Sequence, residues 1–187
     1  MKRLTFIAAV MALLWLAGCI PTSLHPLYTE KDLVYEEALV GRWVEEGTTD
    51  TVFFVRDGAR NYTMTMTEDS VRLEFSAHLF KIDDNLFLDL SPESDNLKLP
   101  GFLKEHLAPM HSFYRVEQIE PTFKLSGLSE DWLRDYLEAN PEVIGHMATD
   151  YHVILTAPTA DLQAFISKHV DTEGAFSEET EFRKVGE

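Results

Sequence analysis

Residues 71–79 read Val-Arg-Leu-Glu-Phe-Ser-Ala-His-Leu, and their alternation decides the fold. On an extended chain Val71, Leu73, Phe75, Ala77 and Leu79 share one side, and Arg72, Glu74, Ser76 and His78 share the other. A helix would scatter those apolar positions around its axis, whereas a strand with one buried face collects them. Upstream, Tyr62, Met64 and Met66 alternate with Thr63, Thr65 and Thr67; downstream, Leu86, Leu88 and Leu90 make a further apolar face. Turn formers separate these runs at Glu46-Gly47, Asp57-Gly58, Glu68-Asp69 and Asp83-Asp84-Asn85. The spacing predicts strands near 40–46, 51–56, 60–67, 70–81, 85–90, 111–119 and 122–127. Such a series is an antiparallel meander, and meanders tend to close because closure removes the exposed edges.

Two helices follow. Ser129 is placed to cap a helix over 130–140, with Glu130 and Asp131 in its first turn and Trp132, Leu133, Tyr136 and Leu137 on one face. Asn140-Pro141 ends it. Residues 151–156 read as a short buried strand, the eighth of the series. Thr159 then caps a second helix over 160–170, and Phe182 and Val185 offer a last edge strand. The expected class is mainly β (α+β): an antiparallel meander forming a partly closed barrel, with one or two C-terminal helices.

Composition narrows the function classes. The 187 residues carry 16 Lys+Arg against 32 Asp+Glu, a formal charge of −16. Binding to a phosphate backbone needs a basic face, so no nucleic-acid partner is expected. With one cysteine the chain forms no internal disulfide and no cysteine-rich metal centre. No G-x-S-x-G elbow or glycine-rich phosphate loop occurs, and no catalytic residue, metal or cofactor is assigned.

The N-terminus carries an address. Lys2 and Arg3 precede an apolar run from Leu4 to Leu16, too short at about 1.5 Å per residue to span a bilayer core of about 30 Å. A secretory signal fits. The run ends in Leu16-Ala17-Gly18-Cys19, which resembles the lipobox of bacterial lipoproteins. That resemblance implies removal of residues 1–18 and acylation (palmitate or a similar chain) of Cys19, which becomes the membrane anchor. It also implies an envelope location. Ile20, rather than an aspartate, after the cysteine implies the outer membrane, with the domain facing the periplasm. Loss of Lys2 and Arg3 takes the mature charge to −18, so the acyl chains and not the surface charge hold it to lipid. Residues 19–38 contain Pro21 and Pro26 and no sustained period, and read as a lipidated tether of at most about 60 Å whose second half packs along a single domain, 39–187.

Gly41-Arg42-Trp43, on the first strand after an extended approach, resembles the G-x-W motif of lipocalins, where the tryptophan plugs the closed end of an eight-stranded barrel. The layout of strands followed by a helix and a last strand is similar too. The chain departs from that family in lacking a cysteine pair and in placing a helix between the proposed seventh and eighth strands. The resemblance implies a lipocalin-like body that binds an apolar small molecule or lipid. Trp43, Tyr62, Met64, Met66, Phe75, Leu88 and Tyr114 are the candidate wall residues.

The same residues would equally form the packed core of a barrel without a ligand, in an envelope protein that acts by interaction or assembly. The long connection 91–110 would then serve as a docking surface; in a binder it would serve as a lid, and in either it could simply fold back on the core. Among the histidines, His106 and His111 flank Pro109, and Asp150 and His152 would share a sheet face. Surface or hydrogen-bonded histidines account for them better than metal ligation does, and no metal site is assigned.

Overall fold

A computed structural model describes residues 20–68, 71–93, 100–104 and 109–186. In chain order its elements are β1 (Thr22–Ser23), β2 (Gly41–Glu45), β3 (Thr51–Asp57), β4 (Asn61–Glu68), β5 (Val71–Ile82) and β6 (Asn85–Pro92). There follow a single helical turn α1 (Gly101–Lys104), β7 (Ser112–Gln118), β8 (Thr122–Gly127), α2 (Glu130–Ala139), β9 (His146–Ala148), β10 (Val153–Leu155), α3 (Thr159–His169) and β11 (Thr180–Val185).

The meander from β2 to β8 forms as the alternation predicts, and each strand pairs antiparallel with the next. The barrel closes fully rather than in part. Its eighth strand is β11, not the 151–156 segment. β11 pairs with β8 on one side (Phe182 opposite Phe123) and with β2 on the other (Phe182 opposite Glu45). The expected edge strand is therefore the closing strand. β10 instead joins a separate three-stranded sheet, parallel to β1 and antiparallel to β9. Its Val153 and Leu155 are fully buried, but in a second core outside the barrel.

Two cores share one wall. Inward side chains of the barrel, among them Trp43, Phe54, Tyr62, Leu79, Leu88 and Phe123, make the first. Phe80, Phe87 and Phe113 point the other way and pack beneath α2, α3 and β10. β6 is thus buried on both faces, which is why Leu86 to Leu90 read as a nearly continuous apolar run interrupted only by Asp89. Ser129 caps α2 as expected, accepting a hydrogen bond from the Trp132 amide at 3.3 Å. Thr159 does not cap α3: its hydroxyl donates to the Pro26 carbonyl at 2.8 Å, and Pro158 holds the cap position.

That contact belongs to the largest departure from the sequence reading. The second half of the 19–38 stretch packs along the domain as expected, and the departure is that the first half, from Thr22 onward, is built into the body as well. Ser23 bridges His111, Leu33 bridges Phe80, and Leu27, Leu33 and Leu39 are buried. Gln163 of α3 donates to both the Leu27 carbonyl and the Asp32 carboxylate. Asp89 of β6, wholly buried, accepts from the Leu27 amide at 3.1 Å and pairs with His111 Nδ1 at 2.7 Å. Pro21, Pro26 and mixed polarity hid the docking of the first half, because a strap that meets several partners in turn has no period of its own.

The strap's last residues, Glu37–Leu39, make a single 3-10 turn that seals one end of the barrel. Trp43 Nε1 donates to the Leu39 carbonyl at 2.8 Å, and the Tyr62 hydroxyl accepts from the Glu36 amide at 2.7 Å. Lys184 donates to the Ala38 carbonyl at 2.7 Å while its ammonium stands 5.1 Å from the Trp43 ring centre. Gly41 has φ +126°, and a Cβ there would lie 3.0 Å from the Lys184 side chain, so the glycine of the G-x-W triplet serves both backbone and lysine.

Candidate functional site

The other end of the barrel is less filled. A cavity of about 100 Å³ lies between β3, β4, β5 and β6 on one side and β7, β8 and β11 on the other. Met64, Met66, Phe75, Leu88 and Tyr114 line it, so five of the seven predicted wall residues meet there. Trp43 and Tyr62 do not: both are fully buried in the sealed end, where their polar atoms are taken up by the strap. Val52, Phe54, Leu90, Ser112, Phe123, Leu125 and Phe182 complete the wall. Val52 and Phe54 sit in the unbroken apolar run Val52–Val55, which marks a strand but not its inward face. Ser112 carries no signal, because a lone serine at a strand start looks like surface, and Phe182 reads as part of an edge strand rather than of a wall.

The lining is apolar with two exceptions. Tyr114 and Ser112 present hydroxyls that have no hydrogen-bond partner among the described residues. Burial pushes the Tyr114 phenol up to about 12, so it stays a neutral donor throughout the physiological range. Neither hydroxyl is among the fully buried polar atoms left without a partner, so both are open to the cavity, where a guest with an acceptor atom would meet them. Glu45, on the same inward register as Phe182, has its carboxyl raised by burial and then by the nearby Asp50. The hydrophobic Ile20 packs against the barrel core from this end, its Cδ1 only 2.8 Å from where a Gly127 Cβ would sit. Gly127 is thereby fixed: any side chain would displace Ile20.

Size limits the guest. Ordinary small-molecule pockets run to about 300–1,000 Å³, and an apolar cavity of about 150 Å³ takes benzene. A space of about 100 Å³ accepts only a few carbon-sized groups unless its walls move. Met64 and Met66, flexible and unbranched, are the walls best able to move.

Three of the described histidines are held by neighbouring side chains. His111 is held by Asp89, as above. His78, opposite Asp89 in the β5–β6 register, stacks on Tyr28 at 4.4 Å, and burial holds its imidazole below the ordinary range against the pull of Asp89 and Glu30. Asp150 and His152 do not form the expected pair on one strand face, since both precede β10. His152 lies between Thr22 Oγ1 (2.9 Å from Nε2) and Glu130 (3.6 Å from Nδ1), tying β1 to α2. Among the described residues no group of three His, Cys, Asp or Glu side chains converges as a metal site. His106, Cys19 and half of the 91–110 connection (94–99 and 105–108) lie outside the described residues. Among those described, no helix is long and apolar enough to cross a membrane. Comparison with known proteins returns no matching family model, no matching curated protein and no matching solved structure.

Proposed function

We propose that this chain is a lipid-anchored envelope protein whose lipocalin-like barrel binds the narrow end of an apolar or amphiphilic small molecule. The observation that carries the reading is the cavity at the unsealed end, apolar except for the unpartnered hydroxyls of Tyr114 and Ser112. Tail carbons of a single alkyl chain would enter between Met64, Met66 and Phe75, and an acceptor atom on the guest would take the Tyr114 proton. The small volume supports the second reading, a packed barrel that works only through its surface in envelope assembly.

Native mass spectrometry separates the two. The domain is expressed in the periplasm as Cys19→Ala behind a cleavable non-lipoprotein signal, so that it has no acyl chain of its own. A discrete adduct of a few hundred daltons, lost on mild activation and absent in a cavity-filling Leu90→Trp variant, supports the binder. A bare mass that stays bare when dodecanoic acid is titrated in overturns it.

A further inference from the structure

The small sheet outside the barrel has an apolar outer face, and that face adjoins the point where the described chain begins. Thr22 of β1, Ile154 of β10 and Met147 of β9 are register partners across the sheet and therefore share one face; Leu24, two residues after Thr22, follows on the same side. The opposite row, Ser23, Val153 and Leu155, is buried against the body. On the outer face Leu24 is 40% and Met147 58% exposed, and Tyr151 in the β9–β10 turn is 87% exposed. Because β1 runs parallel to β10, the chain before Thr22 lies at the same end as the turn before Val153, where His152 bonds Thr22. The described chain therefore begins, at Ile20, from that end of the sheet, and Cys19 is its covalent neighbour.

From this we propose that the outer face formed by Leu24, Met147, Ile154 and Tyr151 docks on the bilayer surface that holds the acyl chains of Cys19, with the unsealed end of the barrel turned toward the lipid. The inference rests on the lipoprotein reading of Cys19. With residues 20–40 built into the body, no free tether separates anchor from domain, and the exposed apolar face meets the interface as soon as the acyl chains insert. Leucine, methionine and an amphipathic tyrosine suit the boundary between headgroups and acyl chains. Asp150 beside Tyr151 and the acidic surface as a whole favour zwitterionic over anionic lipid.

The test uses the full lipidated chain reconstituted into vesicles of phosphatidylethanolamine and phosphatidylcholine. An environment-sensitive NBD fluorophore is attached at Tyr151→Cys or, on the barrel wall, at Phe53→Cys, where the native side chain is 44% exposed. The acylated Cys19 does not react with it. The label at 151 should emit at shorter wavelength and be quenched by brominated acyl chains, with less of both when phosphatidylglycerol is added, while the label at 53 should show neither. If the chain is acylated and vesicle-bound but the two labels are equally wet, the docking face is wrong although the anchor is right. Burial of the 151 label only when another envelope protein is present overturns it in favour of a protein partner. If mass spectrometry finds Cys19 unmodified and the chain stays out of the vesicle pellet, the lipoprotein reading fails, and the docking with it.

Discussion

Replacing Asp89 by alanine tests whether the strap is part of the fold or an ornament on it. The carboxylate is wholly buried and accepts from the Leu27 amide and His111. Its removal strands one backbone donor and one imidazole between the barrel wall and the strap. A buried donor left without a partner costs about 1–3 kcal/mol. With two donors stranded, the expected loss is about 4 kcal/mol. With a urea slope of about 2 kcal/mol/M, the unfolding midpoint of the Cys19→Ala domain should fall by about 2 M. Asp89→Asn keeps one acceptor and should lose roughly half as much. A double-mutant cycle with His111→Ala should give a coupling above about 1 kcal/mol, as expected for groups in direct contact. A midpoint shift below about 0.3 M for Asp89→Ala, or a coupling near zero, would refute the reasoning.

Three further outcomes follow from the geometry. Trp43→Ala empties the sealed end and removes the support of Lys184, and should lower stability by about 3–5 kcal/mol in urea unfolding, whereas Tyr114→Phe, whose hydroxyl has no partner, should change it by less than about 0.5 kcal/mol. The same Tyr114→Phe should weaken binding of dodecanoic acid about threefold to tenfold, the worth of one neutral hydrogen bond, as read by calorimetric titration. Acid should destabilise the fold before the carboxylates titrate. Burial lowers the imidazole pKa of both His78 and His169, with Lys168 adding to the effect at His169, so the unfolded chain binds more protons below about pH 6.5. Stability is then fully present above that pH and declines as pH falls. The thermal midpoint should be lower at pH 5.5 than at 7.5, and the difference should shrink in His78→Phe.

Most of the barrel was legible because its strands are buried on one face and state that in every second residue. Ser76 and His78 against Phe75 and Ala77 leave no doubt about which side of β5 faces in. Legibility failed where a segment's partners are distant in sequence. Val153-Ile154-Leu155 is the most apolar short run of the C-terminal third and so drew the assignment of eighth strand, yet its apolar surface answers to α2 and the strap. Thr180 to Val185 shows a single inward aromatic because its other side faces solvent with Glu181 and Arg183, and Glu181 bonds Lys124 across the seam. The cavity was half legible for a related reason. Periodicity says which residues point inward but not how far along the axis they sit, and so it could not separate Trp43 and Tyr62 at the sealed end from Met66 and Phe75 at the other.

The closing strand comes last in the chain, after the whole of 128–179 has been laid against the outside of the wall. Until β11 arrives, β2 and β8 are unpaired edges some eighty residues apart in sequence, with the aromatic interior open along the seam between them. Synthesis from the N-terminus therefore yields a nearly complete sheet that cannot become a barrel until Thr180–Val185 are free. Contacts of such long range make folding slow, and open edges invite pairing with other chains. The open sheet needs protection during that interval, and a truncation that removes Thr180–Val185 acts on assembly rather than on a dispensable tail.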